Sequence, residues 1–133
     1  MEEKMKIRKY LLIFLLLFTS IYAEVTIIGN KSTNITITNA NSAFDYFTMA
    51  KGNLKVFYLK SGSANDEFFS FIGKDFNEMK KIWMRLQLTE GKIAVALNSE
   101  DEMLEKVAST RNSIGYVSKS KVNSNVKSIF TIK

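Results

Sequence analysis

The chemically most suggestive segment of the chain is Ser61-Gly62-Ser63, which follows a predicted strand at 54–59 and precedes a predicted helix that begins near Ala64. The first backbone N–H groups of a helix have no partner within it, and the helix dipole places roughly half a positive charge there. Serine hydroxyls add donors, and glycine lets the main chain approach a ligand closely. This pattern predicts an oxyanion receptor. Its predicted residues are Ser61, Gly62, Ser63, Ala64 and Lys60.

The same segment has a second, purely structural interpretation. Ser63 is a residue type that commonly caps helices, and Ser61-Gly62 is an ordinary turn sequence. In that arrangement the serine side chain accepts a hydrogen bond from the same amides that an anion would use. From these residues alone, both interpretations remain open.

Composition argues against most catalytic chemistry. The 133 residues include no Cys and no His, which excludes disulfides, a thiol nucleophile, a histidine triad and Cys-ligated zinc. Asp101, Glu102 and Glu105 lie on the first turns of a predicted helix, where acidic residues are stabilising without any metal. We therefore expect a non-catalytic protein without a metal or a cofactor.

The N-terminal residues have the pattern of a secretory signal peptide. Lys4, Lys6, Arg8 and Lys9 precede an apolar run, and small Ala23 follows it. An uncleaved anchor is the alternative, but the apolar stretch at 10–23 has only 14 residues, whereas a bilayer span needs about 20. We expect a signal peptide at 1–23, cleavage after Ala23, no stable membrane span afterwards, and a periplasmic or secreted protein.

The remaining residues, 24–133, are predicted to form a single domain. Removal of 1–23 takes away four basic and two acidic groups, which lowers the net charge from +6 to +4. The charges are scattered along the chain, whereas nucleic-acid binding proteins cluster Lys and Arg on one face. We expect no nucleic-acid partner.

Strand and helix patterns alternate along this domain, which predicts an α/β fold with a mixed sheet of about four or five strands flanked by helices. Trp83 lies on an apolar helical stripe and is predicted to pack in the core, and Tyr116 is predicted to be structural. Gly115 is predicted to allow a close backbone approach. The predicted strands are 25–28, 34–38, 54–59, 113–117 and 126–132. The predicted helices are 42–50, with Ser42 and Asp45 as its capping pattern, about 64–72 ended by Gly73, 75–87 and 99–110.

Three segments resemble the substrate-binding proteins of phosphate ABC transporters. They are 67–74, with Phe71-Ile72-Gly73-Lys74, the 79–86 helix with its central Trp83, and 99–117, which ends in Ile114-Gly115-Tyr116-Val117. The chain is most similar to the short, exported, single-domain members, over roughly residues 25–132. The resemblance implies one lobe of a type II periplasmic-binding-protein fold.

The resemblance also implies a ligand. Members of this family hold phosphate partly through a Ser-Gly-Thr turn at a helix N-terminus, and Ser61-Gly62-Ser63 occupies the matching place. The family's Arg four residues before this turn is Phe57 here, so Lys60 or Lys55 would have to supply the positive charge. An exported protein that binds phosphate or a similar oxyanion is the expected function, with an ABC permease as a candidate partner.

A second function follows from the same departures. The chain is too short for the two lobes that full-length members close over their ligand, and it lacks their Arg. A degenerate lobe would act as an interaction module, binding a protein or a second copy of itself through exposed aromatic residues. The predicted contact residues are Phe68, Phe69 and Tyr58.

Overall fold

A single five-stranded sheet organises the protein. The computed structural model describes residues 24–133, and the predicted signal peptide lies outside them. The strands are β1 (Val25–Gly29), β2 (Lys55–Leu59), β3 (Ala94–Leu97), β4 (Ser113–Ser118) and β5 (Lys127–Ile132). The helices are α1 (Ala40–Phe47), α2 (Ser63–Ile72), α3 (Phe76–Glu90) and α4 (Glu100–Ser109), with a short 3-10 turn at Lys119–Lys121.

The sheet is mixed, as predicted. Its strand order is β3-β2-β4-β1-β5. β2 runs parallel to both of its neighbours, with Leu59 opposite Leu97 of β3 and Val56 opposite Ile114 of β4. β1 runs antiparallel to β4 and β5. The carboxyl end of β2 therefore lies in the parallel half of the sheet, and in open α/β sheets ligands bind beyond the carboxyl ends of such strands.

The helix boundaries follow from local capping chemistry, and three of the predicted helices are confirmed. Gly73 ends α2 with a left-handed φ of 79°. Asp75 caps α3, its carboxylate accepting a hydrogen bond from the Glu78 backbone N–H at 2.8 Å. Ser99 caps α4 in the same way, through the N–H of Glu102 at 3.1 Å.

The boundaries of α1 differ from the prediction of 42–50. Its N-cap is Asn39, whose side chain accepts from the Ser42 N–H at 2.8 Å, while the Ser42 hydroxyl accepts from the Asn39 N–H at 3.1 Å. Ser42 is therefore the third helical residue of a reciprocal capping box and not the cap itself. The helix ends at Phe47, and Met49 has a positive φ of 59° that does not continue it.

One predicted strand was wrong, and one strand was not predicted. Residues 34–38 alternate like a strand but form none, and they pair with neither edge of the sheet. Ile37 is nevertheless buried against the core. The strand β3 was missed, because its Ala-Val-Ala-Leu sequence is short and poor in β-branched residues. β3 forms through its parallel pairing with β2.

The two faces of the sheet are covered by different helices. Neighbouring strand residues point to opposite faces. At Gly115 an added Cβ would press on Met103 and Val107 of α4, which confirms the predicted close approach. On the other face Tyr116 stacks on Phe68 of α2, with ring centroids 3.8 Å apart. The sheet thus lies between α4 on one side and α2 on the other.

Aromatic packing fills the α2 side of the core. Trp83 is buried, as predicted, and its indole N–H donates to the Phe47 carbonyl oxygen at 2.8 Å. Phe68 and Phe69, predicted to be exposed, are buried, since α2 is covered both by the sheet and by the neighbouring helices. Tyr58 is half-buried and stacks on Trp83 at 4.3 Å. The predicted aromatic contact surface is therefore wrong.

Candidate functional site

The turn between β2 and α2 leads into a helix whose first turn has no side-chain cap. Gly62 is the N-cap residue, with φ 106° and ψ 168°, and no side chain bonds to the amides of the first turn. Ser63 is the first helical residue, so the interpretation of Ser63 as the helix cap is wrong. Ser61, Gly62 and Ser63 are all exposed. The backbone at the start of α2 is therefore exposed at Gly62 and Ser63, whereas Ala64 is only 4% exposed.

The backbone amides on either side of this turn are occupied. The Lys60 N–H donates to the Leu97 carbonyl oxygen of β3 at 3.2 Å, and the Asp66 N–H donates to the Gly62 carbonyl oxygen at 3.1 Å. Between them, the N–H groups of Gly62, Ser63 and Ala64 have no acceptor among residues 24–133. Since the N–H groups of the first turn point out of the helix along its axis, they form a cluster of free donors.

Of the two lysines predicted to supply positive charge, only Lys60 lies next to the turn. Lys60 is exposed and directly precedes the turn. Lys55 is at the start of β2, roughly 20 Å from Ser61 along the extended chain, and cannot reach the turn. Phe57 is buried in the core, so the position at which the resemblance implied an Arg carries no charge. Asp66 is exposed on the first turn of α2 and adds a negative charge close to the site.

Asn65 and Tyr116 form a buried support directly behind the turn. Asn65 is only 3% exposed, and its Oδ1 accepts a hydrogen bond from the Tyr116 hydroxyl. The same hydroxyl accepts a hydrogen bond from the Leu59 backbone N–H at 3.0 Å. Burial raises the pKa of Tyr116 well above its ordinary value, so its hydroxyl stays protonated at neutral pH. This arrangement connects β4, the end of β2 and the start of α2.

Sequence reasoning did not identify Asn65, although a signal was present. Asn65, Phe68 and Ile72 recur at helical spacing, and all three are buried. A primary amide inside such an apolar stripe needs a hydrogen-bond partner. Tyr116 was interpreted as structural, but its partner on α2 is visible only in the folded chain.

The described residues hold neither a metal-binding cluster nor a membrane-spanning helix. Among residues 24–133, no three acidic side chains come together in a way that could hold a metal ion. Within the same range, no helix has the length and apolar character to cross a membrane.

Solved structures similar to this chain include two bacterial proteins. The first is described as a phosphate ABC transporter substrate-binding protein from Clostridium perfringens with bound phosphate, with a TM-score of 0.60 and 19% sequence identity. The second is an ABC-type phosphate transport receptor from Vibrio cholerae, with a TM-score of 0.58 and 19% identity. No protein-family model matches the chain, and no curated protein sequence is significantly similar to it.

The match with these two structures extends over most of this chain but over less than half of each of the other chains. It covers 81% of this chain but only 45% of the Clostridium protein and 46% of the Vibrio protein. The chain thus spans less than half the length of either structure. The predicted fold class is confirmed: the described residues form a single lobe of the type II periplasmic-binding-protein fold, and the resemblance to phosphate-binding transport proteins holds at the level of structure.

Proposed function

We propose that this chain is an exported, non-catalytic binding protein related to phosphate ABC transport, and that it binds inorganic phosphate or a similar oxyanion at Ser61-Gly62-Ser63. The observation that carries the proposal is the uncapped start of α2, where the free N–H groups of Gly62 and Ser63 belong to exposed residues. The Ala64 N–H and the Lys60 ammonium complete the proposed receptor.

The physical basis is charge-assisted hydrogen bonding. A hydrogen bond between a neutral donor and a charged acceptor contributes about 1.5–3 kcal/mol, and the helix dipole favours an anion at this end of α2. The hydroxyls of Ser61 and Ser63 are exposed and add two groups that can donate or accept. Asp66 opposes the anion, and Lys60 offsets that repulsion.

A single lobe leaves its ligand open to water. Water screens the charges and competes for the donors, so each interaction is weaker than it would be in a closed cleft. We therefore expect weak binding by the isolated lobe. A second lobe or a partner protein over the turn would raise the affinity by excluding water.

Thermal unfolding with and without phosphate tests the proposal. At a phosphate concentration 100 times the dissociation constant, binding stabilises the fold by about 2.7 kcal/mol, which raises the melting temperature of a domain of this size by roughly 10 °C. Sodium chloride at matched ionic strength is the control. A melting temperature that responds equally to chloride and phosphate would refute specific oxyanion binding.

Export is part of the proposal and concerns residues outside the described range. Expression in a secreting bacterial host, followed by mass measurement of the exported protein, tests cleavage after Ala23. A mature chain that begins at Glu24 is expected. An exported protein that retains residues 1–23 would contradict the prediction of a cleaved signal peptide. An ABC permease remains a proposed partner of the mature protein.

The alternative function is an interaction module. The predicted contact residues Phe68 and Phe69 are buried, but other apolar side chains are exposed and favour such a function. Large apolar side chains are exposed at Met84 and Leu88 of α3 and at Ile93 and Val95 near and within β3, with Leu88 79% exposed. Val95 lies on the edge strand β3 beside Phe57, on the opposite face of the sheet from α3, whose Trp83 stacks on Tyr58. The surface considered for binding is therefore the one formed by Met84 and Leu88 of α3. The occupant that we consider for it is a second copy of the chain.

Sedimentation or light scattering over a range of protein concentrations tests self-association. The double variant Met84→Lys with Leu88→Lys changes only exposed side chains, so its stability should stay within about 0.5 kcal/mol of the wild type. A wild-type dimer that this variant dissociates would support the interaction module. A wild type that is monomeric at every concentration would exclude self-association through α3.

A further inference from the structure

In the side-chain amide of Asn65, the oxygen is hydrogen-bonded and the nitrogen is not. Its Oδ1 accepts from the Tyr116 hydroxyl, while its Nδ2 has no acceptor among the described residues. No buried side-chain nitrogen or oxygen of those residues is without a partner. Since Nδ2 has no partner, it is not fully buried. It therefore lies in the 3% of Asn65 that is exposed to solvent.

Hydrogen-bond accounting fixes the orientation of this amide. The Leu59 N–H can only donate, so the Tyr116 oxygen is its acceptor. The single Tyr116 proton then needs an acceptor of its own, and Oδ1 is the atom that supplies it. The reverse orientation would direct two donors at the Tyr116 oxygen and leave its proton unpaired. Nδ2 is therefore the free end.

The position of Asn65 brings Nδ2 close to the proposed receptor. Asn65 is the third residue of α2, and side chains in a helix lean toward its N-terminus. Its amide is held beside Leu59, at the end of β2. The turn 60–62 connects these two elements. Nδ2 is therefore held next to the turn that carries the free N–H groups of Ser63 and Ala64.

We infer that Asn65 Nδ2 is a direct ligand of the bound oxyanion, a side-chain donor added to the backbone amides of α2. The inference rests on the proposed function of this turn and assigns its recognition chemistry. The amides and Nδ2 only donate, so they select fully deprotonated oxygens. The Ser61 and Ser63 hydroxyls are the groups of the turn that can also accept a hydrogen bond from a protonated oxygen. The site thus offers mainly hydrogen-bond donors to an oxyanion, and inorganic phosphate is the probe of choice.

Calorimetric titration of Asn65→Asp with inorganic phosphate tests this role. The substitution preserves the shape of the side chain and the oxygen that accepts from Tyr116, but it converts the free donor into a charged acceptor. We expect phosphate binding at least tenfold weaker than in the wild type, as for a lost hydrogen bond to a charged group. Ser70→Asp, exposed on the same helix and remote from the turn, controls for a charge added to α2, and the NMR measurement on the wild type separates loss of the donor from charge repulsion at the turn.

Each outcome is decisive. If Asn65→Asp and Ser70→Asp bind phosphate equally well, Asn65 is not a ligand, although the proposed function stands. If the wild type itself binds no phosphate, the proposed function fails, and this inference fails with it.

A second measurement on the wild type needs no substitution and remains available if Asn65→Asp does not fold. The side-chain NH2 resonances of Asn65 in a ¹⁵N NMR spectrum should shift during a phosphate titration, with the same dissociation constant as the backbone amide of Ser63. Movement of the Ser63 resonance without movement of the Asn65 NH2 pair would overturn the inference.

Discussion

The Tyr116 hydroxyl donates a hydrogen bond to Asn65, which lies 51 positions earlier in the chain, and both residues are buried. This bond joins the central strand β4 to the first turn of α2. Because the same hydroxyl also accepts from Leu59 at the end of β2, one side chain fixes both elements that flank the candidate site. The position of the exposed turn thus depends on a contact within the core.

Loss of this hydroxyl should destabilise the fold. In Tyr116→Phe the shape of the ring is kept, but the Leu59 N–H and Asn65 Oδ1 lose their partner. Each unsatisfied buried group costs about 1–3 kcal/mol, so we expect a decrease of about 2–4 kcal/mol in the free energy of unfolding, measured by urea denaturation. Tyr58→Phe is the matched control, since the half-buried Tyr58 hydroxyl makes no hydrogen bond within 24–133. Equal effects of the two substitutions would contradict this role for Tyr116.

Alkaline pH should weaken the wild type through the same residue. Burial raises the pKa of Tyr116 in the folded state, whereas the unfolded chain ionises near the ordinary tyrosine value of about 10. Above that pH only the unfolded state releases the proton, so stability falls by about 1.4 kcal/mol per pH unit. Below it the contribution is constant. Tyr58, whose pKa burial also raises, adds in the same direction.

Unfolding midpoints measured between pH 8 and 11 should therefore be flat at first and then decline. Tyr116→Phe should decline less steeply because one of the two shifted groups is gone. Parallel curves for the wild type and the variant would show that Tyr116 ionises equally in the folded and unfolded states.

Gly62 should tolerate no side chain for conformational rather than steric reasons. A Cβ at this position would meet no atom within 4 Å, but the backbone has φ 106° and ψ 168°, a combination that other residues essentially avoid. We expect Gly62→Ala to cost about 1–3 kcal/mol. Gly73→Ala, at the left-handed end of α2, is the comparison and should cost less, near 1 kcal/mol. A neutral Gly62→Ala would show that the turn relaxes to another conformation.

Local patterns were enough to predict most of the fold. Asp75 and Ser99 mark helix starts and Gly73 marks a helix end because capping depends on neighbours in sequence. The strand β3 could not be predicted in this way, since its Ala and Val residues form a strand only beside β2. Residues 34–38 show the converse case: their alternation suits a strand, but no strand of the sheet pairs with them.

The candidate site also has one part that the sequence predicts and one part that only the folded chain reveals. Its exposed part, Ser61-Gly62-Ser63, was predictable from the order of strand, turn and helix. Its free amides were not, because a capping serine and an open turn have the same sequence, and only the backbone of Gly62 distinguishes them. The Tyr116–Asn65 contact joins distant segments, and no local pattern reports it.

Phosphate titration of two Ser63 variants tests the central claim most directly. Proline suits the first position of a helix and removes the Ser63 N–H and hydroxyl together, whereas alanine removes the hydroxyl alone. With free amides as the receptor, calorimetry should show phosphate binding about tenfold weaker in Ser63→Pro than in Ser63→Ala, with both variants folded. Equal phosphate affinity in the two variants would contradict the account.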